Sequence, residues 1–142
     1  MSRMTIVIEG DDRVRDQMVG QMGKLVDVLA VSALTGGTVG RELALIKVRA
    51  DRLTRSAILQ IADVFRGQVV DVTRDAVMIE ITGDEAKVGA LLDVLGDYGV
   101  LEVARTGVVA LSRGAEVIAV TESPPVEDGA QGAPDLPQAE GA

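Results

Sequence analysis

The sequence predicts an α+β protein built from strand–helix–strand units, and three observations carry that expectation. Apolar residues alternate with a period of two over residues 4–9, 43–48 and 77–81. Between such runs they recur at helical spacing, as at Val14, Met18 and Met22, or at Ile58, Ile61, Ala62 and Phe65. The two patterns take turns along the chain, and each helical stretch shows a single apolar stripe, as expected of helices laid on one side of a sheet.

Met4, Ile6 and Ile8 alternate with Thr5, Val7 and Glu9 and read as a strand that Gly10-Asp11-Asp12 ends. Val14, Met18, Met22 and Leu25 then mark one face of a helix, weakened by Gly20 and Gly23 at roughly 1 kcal/mol each relative to alanine. Val26 to Leu34 is β-rich and is expected to close a strand–helix–strand unit, with residues 35–41, rich in glycine, as a flexible linker. From Glu42 a second series begins. Leu43, Leu45 and Lys47 alternate with Ala44, Ile46 and Val48 in a strand, and a helix follows from about Thr54, placed as its N-cap, to Phe65. Gly67 falls where a helix commonly ends in a left-handed residue, and Val69–Val72 resumes the period of two. Arg74-Asp75 is a tight-turn candidate leading to Val77, Ile79 and Ile81 on one strand face. Asp84 is placed to cap a further helix carrying Val88, Leu91, Leu92, Leu95 and Tyr98. Val100 to Leu111 supplies a last strand, or two strands bent around Gly107. The order from Glu42 onward is βαββαβ, which predicts a four-stranded antiparallel sheet with both helices on one face, the ferredoxin-like plan.

Composition narrows the chemistry. The 142 residues include no histidine and no cysteine. Disulfides, thiolate nucleophiles, His-based general bases and Cys/His zinc sites are therefore outside its repertoire. Metal binding would rest on carboxylates alone, and neither Gly10-Asp11-Asp12 nor Gly83-Asp84-Glu85 has a calcium-loop pattern; both read better as helix starts. The expectation is no catalytic, cofactor-binding or metal-binding residue in this chain. P-loop and dinucleotide glycine patterns are absent. Of the net charge of −8, residues 121–142 account for −5 through Glu122, Glu127, Asp128, Asp135 and Glu140, with no Lys or Arg to offset them. That stretch reads as a disordered acidic tail. With Phe65 and Tyr98 as the only aromatic residues and no basic stripe, nucleic-acid binding is not expected. No run of about 18 apolar residues suggests a membrane span, and the expected location is the cytoplasm. Arg66, Arg105 and Arg113 are candidates for partner contact, against a plainer role in surface ion pairs with Asp71, Glu102 or the tail, while Lys24 and Lys47 are expected to be solvated.

The chain also repeats itself. Thr5–Glu9 before Gly10-Asp11-Asp12 matches Met78–Thr82 before Gly83-Asp84-Glu85, and Val28–Val31 matches Val100–Val103. Residues 4–34 thus look like the second half of a βαββαβ unit. The first strand of such a unit lies between the third and fourth, so without it two parallel strands stand roughly 9.5 Å apart, two strand spacings. Their inner backbone groups then lack partners. The strands would collapse together, take a strand from another chain, or belong to a protein that begins upstream of Met1; the last is the expectation.

Four ordered segments, Ser2–Val7, Lys24–Val28, Phe65–Thr73 and Glu102–Gly114, resemble the small, regulatory subunit of acetolactate synthase, also called acetohydroxyacid synthase. The resemblance implies residues 1–34 as part of an ACT domain, its second half βαβ. It also implies a linker at 35–41, a C-terminal ferredoxin-like domain at 42–120 and the tail at 121–142. It implies a partner as well: a large catalytic subunit carrying thiamine diphosphate, FAD and magnesium, cofactors this chain would not hold. The small subunit would raise that partner's activity in branched-chain amino acid biosynthesis and confer feedback by valine; a homodimer formed by sheet edges or faces is expected. The family's effector pocket draws on the first half of the ACT domain, which has no counterpart here, so no effector-binding residue is carried over and valine binding in the usual geometry is not expected. The alternative is a stand-alone ACT-type ligand-binding module controlling another enzyme.

Overall fold

A computed structural model describes residues 2–120. Its elements are α1 (Asp12–Met22), β1 (Thr38–Arg49), α2 (Arg55–Val64), β2 (Gln68–Val72), β3 (Ala76–Gly83), α3 (Glu85–Gly96), β4 (Val100–Arg105) and β5 (Val109–Ser112). The sheet runs β2-β3-β1-β4, and β5 pairs with the first part of β1. All recorded pairings are antiparallel. This is the ferredoxin-like order expected from residue 42 onward.

Period-two patterning decides which face is buried. On β1, Glu42, Ala44, Ile46 and Val48 point under the helices; on β3, Val77, Ile79 and Ile81 do the same. Ile46 lies opposite Ile79, and Ala44 opposite Ile81, at the centre of the register. Helix α2 contributes Ile58 and Ala62 to this layer and α3 contributes Val88, Leu91 and Leu95, all fully or almost fully buried. Each large apolar side chain so buried is worth about 1.5–3 kcal/mol. Among the described residues, no helix packs on the other face of the sheet, which carries Leu43, Leu45, Lys47, Met78, Glu80 and Glu102.

Three local expectations are corrected. Thr54 occupies the N-cap position of α2, yet its side chain caps no helical N–H. Asp51 does that work one turn earlier: its Oδ1 accepts from the Leu53 and Thr54 N–H groups at 2.7 and 2.9 Å, because the chain already turns at residue 51. The left-handed residue ending α2 is Arg66, at φ +57°, not Gly67. Gly67 N–H donates to Ala62 C=O at 2.8 Å and Arg66 N–H to Asp63 C=O at 3.0 Å, the paired bonds of a Schellman terminus. Gly67 is needed for space, since a Cβ there would lie 3.0 Å from Ile79 Cγ2 and 3.3 Å from Glu80 O. Third, the stretch read as a linker holds strand: β1 begins at Thr38, pairing Thr38–Arg41 with Val109–Ser112. Gly107, at φ +74°, sits in the bend that separates β4 from β5.

The largest departure is upstream. Helix α1 forms, with Asp11 as its cap, but neither residues 4–9 nor residues 26–34 form a strand. A strand requires a neighbour for its backbone groups, and among the described residues no ladder reaches either segment. Thr5 and Arg3 instead bond the outer edge of β5 with their side chains: Ala110 N–H donates to Thr5 Oγ1 at 3.1 Å, and Arg3 Nη2 donates to Ala110 C=O at 3.4 Å. Residues 121–142, read as a disordered acidic tail, lie outside the described residues.

Candidate functional site

The period-two strands that build the core also carry charged side chains, on both faces of the sheet. Lys47 on β1 lies opposite Glu102 on β4, and its Nζ donates to Glu102 Oε2 at 3.0 Å. Lys47 is therefore paired, where solvation was expected. Arg105 does not pair with Glu102; it lies opposite Ala44, on the same face as Glu42, and its guanidinium pairs with the Glu42 carboxylate, which is only 3% exposed. A carboxylate at that depth needs its cation, and sequence spacing alone could not choose between Glu42 and Glu102, because β4 brings Arg105 next to Ala44, diagonal to Glu42.

Arg66 and Arg113 are exposed, and neither forms an ion pair among the described residues. Arg113 is placed by its backbone, whose N–H donates to Gly37 C=O at 3.0 Å. Lys24 is exposed just beyond α1. The structure thus sets two separate ion pairs along β1 and β4, Lys47–Glu102 on the open face and Arg105–Glu42 on the helix-bearing face, and leaves Arg66 beside β2.

Among the described residues, Asp51 is the one carboxylate held clearly below its ordinary range. The N–H groups of Thr54 and Leu53 are the main cause; burial opposes them, and the Thr54 hydroxyl and the nearby Arg55 guanidinium add smaller lowering contributions. It is a structural cap. Arg55 in turn donates to Thr73 and Arg74 C=O at 3.1 and 2.9 Å, tying the start of α2 to the β2–β3 turn.

Two hollows complete the surface. One, of about 350 Å³, is polar and lies among Arg3, Ser32–Gly37, Ser112, Arg113 and Glu116–Ile118. The other, of about 420 Å³, is an apolar groove between α2 and α3 formed by Ala57, Ile61, Val64, Phe65, Val94 and Tyr98. The groove was not singled out in the sequence, although its signal is there: Ala57, Ile61 and Val64 make a second stripe on α2 beside the buried Ile58 and Ala62. Among the described residues no group of three Asp or Glu is placed to hold a metal ion, and no helix is long and apolar enough to cross a membrane.

These features define a class: a ferredoxin-like α+β protein with an open sheet face and exposed margins, its charged pairs fixing strands to one another. Comparison with known proteins gives the family. The sequence pattern described as the small subunit of acetolactate synthase matches residues 41–114, which spans all five strands apart from the first three residues of β1. A probable acetolactate synthase small subunit from Archaeoglobus fulgidus is 49% identical over 114 residues, covering 80% of this chain and 72% of that one. The acetolactate synthase small subunit of Mycolicibacterium smegmatis is 48% identical over 115 residues, 80% and 68% of the two chains. The crystal structure of the small subunit from Thermotoga maritima superposes with a TM-score of 0.67 at 41% identity, over 76% of this chain and 68% of that one. The chain belongs to the acetolactate synthase small subunit family.

Proposed function

We propose that this chain is a regulatory subunit of acetolactate synthase that binds the large catalytic subunit and raises its turnover in branched-chain amino acid biosynthesis. The observation that carries the reading is that the family match at residues 41–114 coincides with the complete, well-packed ferredoxin-like unit, so the part most like the family is also the part that folds as a whole. In this reading the thiamine diphosphate, FAD and magnesium of the reaction belong to the partner. The chain itself acts by contact, in keeping with a sequence that has neither histidine nor cysteine. Valine binding to the 142-residue chain is proposed to be weak, since α1 buries no residue and the segments flanking it, 4–9 and 26–34, form no strand among the described residues.

Co-expression with the large subunit from the same source tests this. The expected result is a stoichiometric complex and a rise in acetolactate formation over the large subunit alone. A chain that neither co-purifies with that subunit nor changes its rate refutes the reading. Titration calorimetry with valine tests the feedback clause separately, where tight binding to the 142-residue chain would refute it.

A further inference from the structure

The polar hollow of about 350 Å³ lies where three stretches of chain meet: Arg3, residues 32–37 before β1, and residues 112–118 at and beyond the end of β5. The β1–β5 ladder builds it. Thr38 pairs with Ser112, and Arg113 N–H donates to Gly37 C=O at 3.0 Å, which holds residue 37 beside residue 113. The Arg113 side chain then runs over Gly37, where a Cβ would lie 3.5 Å from Arg113 Cδ. Arg3 is held at the same strand, its Nη2 donating to Ala110 C=O at 3.4 Å. Side chains alternate along a strand, so Ala110 and Ser112 share one side of β5.

Two guanidiniums therefore line one hollow, and among the described residues neither pairs with a carboxylate. Glu116 lines it as well but forms an ion pair with neither, so the three groups together carry a net positive charge. The hydroxyls of Ser32, Thr35 and Ser112 are part of the same wall. Among the described residues, the N–H groups of residues 32–37 donate to no other backbone group. Planar guanidinium forks beside uncommitted hydroxyl and turn N–H donors are the set that recognises an oxyanion. The volume falls at the small end of the roughly 300–1,000 Å³ usual for small-molecule sites. We propose that this hollow binds a small, multiply charged oxyanion, a phosphate or a dicarboxylate, between Arg3 and Arg113. Leu34, Val117 and Ile118 complete the wall with apolar surface, which the carbon chain of a dicarboxylate would use and a bare phosphate would not. The bound anion would fasten the chain on either side of α1, Arg3 before it and residues 32–37 after it, to the edge of the ferredoxin-like unit. Helix α1 itself buries no residue that could do so.

Phosphate and succinate, titrated separately into the full chain at constant ionic strength with chloride as the reference, test this; the fixed ionic strength removes general screening from the comparison. The expected result is a saturable shift of the Gly36, Gly37 and Arg113 amide resonances with one of the two anions, and slower amide exchange at residues 32–37. Tighter binding of phosphate assigns the phosphate form of the proposal, and tighter binding of succinate the dicarboxylate form. Arg3→Gln and Arg113→Gln should each weaken binding about tenfold, the loss of one charged donor to the anion. Glu116→Gln should tighten it, by removing the like charge from the wall. Arg13→Gln on α1 makes the same change in net charge outside the hollow and should alter binding less than about twofold. Retained amide protection at Ile46 and Ile79, in the centre of the sheet, shows that each variant is folded. Shifts no larger with phosphate or succinate than with chloride overturn the proposal. So does an Arg13→Gln variant that weakens binding as much as Arg113→Gln.

Discussion

Helices α1 and α3 begin alike and are supported very differently. Each opens with an aspartate whose Oδ1 takes the N–H three residues on, after a glycine that ends an alternating apolar run. Helix α3 then buries Val88, Leu91 and Leu95 against β1 and β3, whereas α1 buries nothing. The difference teaches that a cap and an amphipathic stripe suffice to place a helix but not to give it a core. A core needs a sheet, and the sheet needs strands from both halves of the unit. The same contrast separates Val77–Ile81, which pairs on both sides, from Met4–Ile8, which has the same alternation and no ladder.

The contrast can be broken most forcefully in the core. Leu91→Ala removes fully buried methyl groups from α3 and should cost about 2–5 kcal/mol by denaturant unfolding. The corresponding trim in α1, Met18→Ala, should cost about 0.5 kcal/mol or less in dilute protein. A larger loss that grows with protein concentration would show α1 packed in an assembly, sharpening the comparison.

Next comes the pair that fastens β4 to β1. Arg105→Ala leaves the Glu42 carboxylate buried without its cation and should destabilise by about 1–3 kcal/mol. The figure is below that for a fully buried pair because the Arg105 side chain is 36% exposed. Replacing both residues together, by Glu42→Leu with Arg105→Ala, should recover much of the loss, which a double-mutant cycle reads directly.

Arg66→Gly has a smaller effect of opposite sign. A left-handed L-residue costs roughly 1–2 kcal/mol, and the freer unfolded chain of glycine takes back about 0.5–1 kcal/mol. A net gain of about 0.5 kcal/mol in unfolding free energy is expected, and a loss instead would show that the Arg66 side chain contributes contacts worth more than its strain.

The smallest effect is acid-dependent. The folded-state pKa of Asp51 lies below the ordinary 3.8, so its contribution is complete above that value and disappears as pH falls through the lowered one. Asp51→Asn should therefore lower the urea midpoint at pH 7 and flatten its decline below about pH 4. An unchanged acid profile would remove Asp51 from the account of how α2 starts.

How far the fold could be read in advance varied with the range of the interaction. Both aspartate caps, the two stripes on α2 and α3 and the βαββαβ order were legible because they depend on residues within a turn or on a period within one strand. The end of α2 was read one residue off: glycine signals a left-handed position, but Gly67 is demanded by the close approach of β3, and the left-handed turn falls to Arg66. The ion pairs were misassigned for a related reason. Whether Arg105 meets Glu102 or Glu42, and whether Lys47 stands free, depends on the β1–β4 register and its irregularity at Lys47/Val48. The candidate surfaces were legible only as stripes, since the α2–α3 groove exists because two helices lie side by side.

By itself, then, the sequence determined the caps, the periodicities and the internal repeat. Tertiary structure alone decided that Thr38–Arg41 is strand, because its partner Val109–Ser112 lies far along the chain, and that Met4–Glu9 within one chain is not. The physical reason is the same in both cases. Alternation fixes which way side chains point, but a strand exists only where another backbone arrives to take its N–H and C=O groups.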